Sequence, residues 1–280
     1  LSTATTAVEL LLTENEVTAA EIARELDASN KERQQTELEI HQEAIAMIES
    51  DKDFEKKNVI VLAKEGWHNG VIGIVASRLV EHFHRPCILI SLDNGKGKGS
   101  GRSVGNFNLF NALTACEPFL TNFGGHAVAA GLGINEDKLA EFDEAINKYA
   151  KDNLTAEDLV PVVKIDCVLG GTNLNIATAK LLSTLEPYGM GNETPVFAIK
   201  DVRVISVSAV GIEKKHLKMQ VEKDGVRINS IGFGMGEFVE ILKYGDEIHL
   251  AAKLDINNFQ GNETAQLVLC DIKMKNNTDI

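Results

Sequence analysis

The chain has 280 residues, 44% of them hydrophobic, and a formal net charge of −13. That length holds two domains and a connector, no apolar run reaches the roughly 18 residues of a membrane span, and the opening Leu1-Ser2-Thr3 has the character of neither a signal nor a transit peptide. The charge argues against a uniformly basic nucleic-acid binder, but it is uneven: residues 1–57 carry −8, residues 58–150 carry −1 and residues 151–280 carry −4, so phosphate contacts must come from local basic clusters.

Cys87, Cys116, Cys167 and Cys270 lie far apart. They read as buried, reduced thiols, not as a disulfide set or a zinc site. None of the seven histidines shares a ligand motif with a carboxylate at helical spacing, so no metal site is expected in this chain.

In chain order, residues 4–12 suit a short helix, and Thr13 begins a polar break. A long helix is expected from Thr18 to Glu49, with Ile22, Leu26, Ile40, Ala44 and Ile48 on one stripe. That stripe is polar at its middle, at Asn30, Arg33 and Glu37. A helix of ~30 residues spans about 45 Å, and one apolar only near its ends reads as a strut docking at both. The broken heptad argues against a coiled coil.

Residues 58–63 form a strand-length apolar run, 66–70 a loop, 71–83 a helix stopped by Pro86, and 87–92 a buried strand. A glycine-rich loop follows at 95–103, then a helix over 107–119, the stretch Phe123–Gly131, a short strand near 132–134 and an amphipathic helix over 137–150. This alternation predicts an α/β domain with both sheet faces covered. Ligands would then sit at strand ends, where the three loops at 66–70, 95–103 and 123–131 would converge.

Two of those loops carry chemistry. In Gly95–Ser103, glycine alternates with Lys96, Lys98, Ser100 and Arg102. Arg102 offers a bidentate fork for phosphate and Ser103 a hydroxyl donor; a solvated connection is the alternative. No Walker pattern is present. In Phe123–Gly131, Gly124 and Gly125 can take positive φ and turn consecutive N–H groups into an anion-binding concavity, with His126 at its lip. A tight turn with a half-buried histidine and a closely packed Ala helix is the competing reading. His68 is a second candidate, or else only braces the 66–70 turn beside Trp67, which reads as core.

After a polar linker at 151–157 the pattern turns to β: 160–168, 196–207, 217–221, 227–233, 247–256 and 265–272, with one helix at 176–185. Hairpin signals stand at Lys223-Asp224-Gly225 and Tyr244-Gly245-Asp246. Five or six strands in about 120 residues fit an OB-type Greek-key barrel. Phe233 and Phe259 are candidates for stacking bases, near Lys214, Lys215, Lys218 and Arg227; Phe233 can equally be core. Residues 276–280 read as a frayed tail.

Several ordered motifs then carry a family resemblance: residues 66–79 (Gly-Trp-His-Asn-Gly-Val-Ile-Gly-Ile-Val-Ala-Ser-Arg-Leu), Gly101-Arg102-Ser103, Phe107-Asn108-Leu109, and Gly124-Gly125-His126 with Ala129-Ala130-Gly131. Together these resemble the DHH-associated domain of RecJ-type single-stranded-DNA exonucleases, and residues 185–192 (Leu-Glu-Pro-Tyr-Gly-Met-Gly-Asn) resemble the start of that family's OB domain. The family's Asp-His-His motif and metal-binding aspartates are not in the chain, which therefore resembles the C-terminal part of such an enzyme.

The resemblance implies a helical connector over 1–57, a DHH-associated α/β domain over 58–152 and an OB-type domain over 153–280. It implies a parent that degrades single-stranded DNA 5′ to 3′ in repair and recombination, with a Mn²⁺ or Mg²⁺ pair in the catalytic domain and no cofactor here. His126 would sit nearest those metals. Arg102, Ser103, Gly124, Gly125, His68, Lys96, Lys98 and Phe259 would bind phosphate or nucleic acid. The expected partners are single-stranded DNA, the catalytic DHH domain and repair proteins, with no membrane, in the cytoplasm; the fragment alone would be inactive. A non-catalytic protein-interaction module and a related oligonucleotide or pyrophosphate phosphoesterase are the alternatives.

Overall fold

Helix α1 (Ala4–Leu12) and the 35-residue helix α2 (Glu16–Ser50) open the chain in the computed structural model, which describes residues 4–275. The tail expected over 276–280 lies outside the described residues. Asn15 caps α2: its side-chain oxygen accepts hydrogen bonds from the Val17 and Thr18 amides. Ile40, Ala44 and Ile48 are buried among residues of the following α/β elements. One expectation is corrected here. Glu37, from the polar middle of the stripe, is only 2% exposed, because Arg33 and Arg78 each bring a guanidinium nitrogen to 2.6 Å from one of its oxygens.

The α/β elements are β1 (Ile60–Glu65), α3 (Ile72–Phe83), β2 (Cys87–Asp93), β3 (Lys96–Arg102), α4 (Leu109–Ala115), β4 (Leu120–Gly125), β5 (Ala129–Asn135) and α5 (Leu139–Asn153). The sheet order is β1-β2-β3-β5-β4. β1 and β2 are parallel, joined by the α3 crossover, and the other pairs are antiparallel. In β2, Cys87 and Leu89 pack with α2 and α3, while Ile88 and Ile90 pack with α4 and α5. A strand buried on both faces has to be apolar throughout.

The expected loop at 95–103 is instead the central strand β3, entered through a tight turn at Asn94 (φ 50°) and Gly95 (φ 75°). Glycine is normally depleted in strands, and here packing requires it. A Cβ on Gly97 would stand 2.7 Å from Ile90 Cγ2, on Gly99 2.8 Å from Leu132 Cγ, and on Gly101 2.8 Å from Leu109 Cδ2. Phe123–Gly131 is likewise a hairpin between β4 and β5. Gly124 pairs with Gly131 as extended strand, and of the two glycines Gly125 alone has positive φ, at 144°. The two-glycine nest and the Ala helix are therefore both replaced by β structure.

Residues 1–161 and 162–280 form separate compact units. In the second, β6 (Cys167–Val168) and α6 (Ile176–Ser183) precede β7 (Phe197–Val210), β8 (His216–Lys223), β9 (Val226–Gly232), α7 (Phe238–Ile241), β10 (Glu247–Phe259) and β11 (Asn262–Met274). Strands pair in the order β7-β8-β9-β11-β10, and β10 pairs again with β7, closing a five-stranded barrel. β9 and β11 are parallel, the other barrel pairs antiparallel. This is the OB-type barrel expected from the strand pattern, filled by alternate residues such as Leu217, Met219, Val221, Leu250 and Leu267.

The long strand expected at 160–168 shrinks to Cys167–Val168, and Val160 and Val162 are exposed. Two of the four cysteines also depart from expectation. Cys87 and Cys116 are buried, but Cys167 and Cys270 are exposed. Cys270 is the extra residue of a β-bulge, skipped between the pairs of Ala251 with Asp271 and Ala252 with Leu269.

Candidate nucleic-acid interface

On the α3 side, helical cover of the α/β sheet stops part-way across, and β3, β5 and β4 keep an open face there. Alternation decides what stands on it. Gly97, Gly99 and Gly101 point into the core, so Lys96, Lys98, Ser100 and Arg102 point the other way. Their register partners on β5 are Asn135, Gly133, Gly131 and Ala129, and Asn122 and Gly124 continue the face onto β4. The result is a cleft of about 790 Å³ with lysines along one side, glycine backbone for a floor and Ile72 of α3 as a wall.

Two kinds of glycine meet in this sheet. Those of β3 are demanded by the protein's own packing. Gly131 and Gly124 are not: a Cβ on Gly131 would find only Gly99 O, at 3.7 Å, and one on Gly124 nothing within 4 Å. Such a floor lets a ligand lie against the strand backbone itself.

Arg102 is half-buried. Its Nη1 donates to Ser100 Oγ (3.1 Å) and Gly101 O (2.8 Å), which fixes the guanidinium plane. A Cβ on Gly73 would stand 2.8 Å from Ser100 Oγ and 3.0 Å from Arg102 Nη2, so a glycine in the first turn of α3 makes room for both side chains. Among the described residues Arg102, Lys96 and Lys98 have no carboxylate partner in an ion pair. Ser100 therefore joins the site, and Ser103 is differently employed: its hydroxyl donates to Phe107 O at 2.6 Å and its amide to Val128 O. The Lys-Gly-Lys-Gly-Ser-Gly-Arg alternation is itself a period-two strand signal, and that signal would have found Ser100.

The histidines do not converge. β1 leads into the 66–70 loop at the sheet end bearing Asp93 and Lys96, whereas His126 sits in the β4–β5 turn at the end bearing Cys87 and Arg102. The two ends are about 20 Å apart at ~3.3 Å per residue. His126 is exposed, and its amide closes the turn onto Ala129 O at 2.8 Å. His68 accepts the Gly70 amide at Nδ1 (3.1 Å), and its carbonyl accepts from Val71 and Ile72, so it braces the start of α3. Trp67 is core, with Nε1 donating to Glu43 Oε2 at 2.7 Å. Hydrogen bonds from Lys64 and Trp67 hold the Glu43 carboxyl below its ordinary range.

In the barrel, Phe259 is 66% exposed at the β10–β11 turn. Phe233, which the sequence left between core and surface, is 64% exposed and packs edge-on against His216. Lys215 pairs with Glu213 and Arg227 with Glu222, which leaves, among the described residues, Lys214 in the turn before β8 and Lys218 on the outer face of β8 without an ion pair. Among the described residues no group of three or more His, Cys, Asp or Glu side chains could hold a metal ion.

Comparison with known proteins agrees with both halves. Residues 56–152 match the DHHA1 domain and residues 165–271 the RecJ OB domain. The chain is 36% identical over 267 residues to the single-stranded-DNA-specific exonuclease RecJ of Bacillus subtilis, covering 95% of this chain and 34% of that protein. It is 34% identical over 275 residues to the Escherichia coli protein of the same name, covering 95% and 47%. The crystal structure of Thermus thermophilus RecJ in complex with Mg²⁺ superposes with a TM-score of 0.80 at 28% identity, over 97% of this chain and 41% of that one; the same enzyme is also known in complex with Mn²⁺. A DHH-associated α/β domain followed by an OB barrel is the architecture these matches define. The chain carries the DHHA1 and RecJ OB domains, and RecJ proteins are homologous to it over about 95% of its length. It spans between a third and a half of the length of the curated relatives it matches.

Proposed function

We propose that this chain supplies the substrate-facing wall and the single-strand grip of a cytoplasmic exonuclease that degrades single-stranded DNA from the 5′ end in repair and recombination. The observation that carries this reading is the open sheet face, where a fixed guanidinium and two lysines without an ion pair among the described residues border Gly131 and Gly124, floor glycines with no packing role. Phosphates would lie along Arg102, Ser100 and Lys98, the strand backbone would rest on Gly131 and Gly124, and His126 would mark the 5′ end. Phe259 and Phe233 of the barrel would stack bases.

The described residues do not fit a metal pair, which needs ligands converging on two points about 3.5–4 Å apart. The divalent metal of the relatives is assigned to the part of the parent enzyme that this chain does not match, and the purified chain should leave single-stranded DNA intact. The OB domain in the same chain speaks against a smaller phosphoesterase. The net charge of −13 is what favours a protein-interaction module. The test is fluorescence anisotropy with 5′-phosphorylated oligo-dT. Three or four phosphate contacts give a slope of log K against log salt of roughly −2 to −3, at about 0.7 per contact. A slope near zero would favour the protein-partner reading.

A further inference from the structure

The cleft changes character along its length. At one end stands Ser100, with Arg102 beyond it on the same strand face; at the other, two to six strand positions away, stand Asn122 and Thr121 on β4, Asn135 beside Lys96, and Asn69 in the loop after β1. Asn15, Asn108 and Asn175 are spent on helix caps, and Asn147 and Asn192 clamp backbone. Among the described residues the side chains of Asn69, Thr121, Asn122 and Asn135 make no hydrogen bond within the chain. All four are exposed, but Thr121 and Asn122 do not point straight out to water. A Cβ on Gly133 would stand 2.6 Å from Thr121 Oγ1 and 2.8 Å from Asn122 Oδ1, so both side chains lie across β5, over a glycine that leaves space for them.

A carboxamide carries no charge to neutralise a phosphate but presents an acceptor and two donors in one plane. That set complements the edge of a nucleobase, and a rotated amide serves a different base equally well. We propose that this carboxamide end of the cleft is a nucleobase subsite, contacting whichever base lies there. The proposal rests on the reading of the open face as a single-strand track. Asn135, at the far end, lies roughly 13–20 Å from Ser100 and Arg102 at strand rise. A stacked nucleotide advances about 3.4 Å, so only an oligonucleotide reaches both ends.

The test compares 5′-phosphorylated oligo-dT with an abasic chain of equal length and charge, both binding the full chain by anisotropy. The variants are Asn122→Ala/Asn135→Ala and, separately, Lys98→Ala, with thermal melts to confirm the fold. The double variant should bind oligo-dT about tenfold more weakly and the abasic chain within twofold of wild type. Lys98→Ala should weaken both ligands by the same factor. If the double variant loses affinity equally for both ligands, or for neither, the subsite assignment is overturned. If Lys98→Ala changes neither ligand while the double variant still discriminates, the phosphate track fails and the base subsite stands.

Discussion

Gly99 lies against Leu132, and a Cβ at that position would stand 2.8 Å from Leu132 Cγ and 2.9 Å from its Cδ1. The contact sits in the middle of a sheet whose opposite face is open. Gly99→Ala should therefore overpack the core and destabilise the α/β domain by about 1–3 kcal/mol. Gly131→Ala, one strand over and facing the cleft, should leave the melting temperature unchanged or slightly raised while weakening binding of oligo-dT. Denaturant titration and anisotropy on the two variants check this. Equal loss of stability in both would mean that the floor glycines also serve packing.

The same pair shows what was legible in the sequence. Glycines and lysines in alternation read as a flexible loop because strand propensity alone weighs against glycine. Gly97 and Gly99 are needed because of partners distant in sequence, Ile134 and Leu132, and no local pattern carries that information. The barrel strands were legible because their alternation is local, and so were the buried β2 and the capped helices. The middle of α2 was misleading for a similar reason. Glu37 reads as solvent-facing until Arg78, forty-one positions on, arrives to pair with it.

Glu37 is buried between Arg33 and Arg78. Removing one member of such a cluster leaves charge without its partner. Glu37→Ala should cost about 1–3 kcal/mol, and Arg33→Ala on the wild-type background less, since Arg78 still answers the carboxylate. Urea midpoints measure both. If Glu37→Ala is neutral, the helix is held by Ile40, Ala44 and Ile48 alone.

One turn along, His41 is half-buried, and its pKa is lowered from 6.5 by burial, then by the charges of Arg78 and His82, with Glu37 opposing. The folded pKa lies below the unfolded one, so the unfolded chain binds the proton more readily. The stability contributed by neutral His41 is present above about pH 6.5 and falls away as the pH drops below it. Midpoints measured between pH 7.5 and 5 should decline, and His41→Gln should flatten part of that decline. An unchanged profile in the variant would assign the decline to other groups.

Cys87 and Cys116 have no solvent access, and burial pushes both thiols up, that of Cys116 to about 11. Since the thiolate is the reactive form, a native chain at pH 8 should react with a thiol reagent at two positions, Cys167 and Cys270. Of these Cys270 should be the slower, because partial burial raises its pKa too. Peptide mapping after brief labelling reads this directly, and fast modification of Cys87 would contradict the packing of β2 against α3.

The last prediction separates a fixed cation from mobile ones. Arg102, Lys96 and Lys98 share one strand face, and each removal costs a single positive charge. Arg102 differs in being held, with Nη1 committed to Ser100 Oγ and Gly101 O. Its guanidinium plane is thus held, and a phosphate meeting its remaining N–H groups gains hydrogen bonds to a charged group of roughly 1.5–3 kcal/mol. Lys96 and Lys98 are exposed and act as screened charges of at most ~1 kcal/mol. In binding of a 5′-phosphorylated single strand, Arg102→Ala should cost about tenfold or more, and Lys96→Ala less than fivefold. Arg102→Lys should recover little, because an ammonium keeps the charge but loses the fork. Ser100→Ala should reproduce part of the Arg102→Ala loss without changing charge, since it frees the guanidinium plane. If Ser100→Ala binds as wild type and Arg102→Lys recovers fully, Arg102 works only as one charge among three, and the held-fork assignment is wrong.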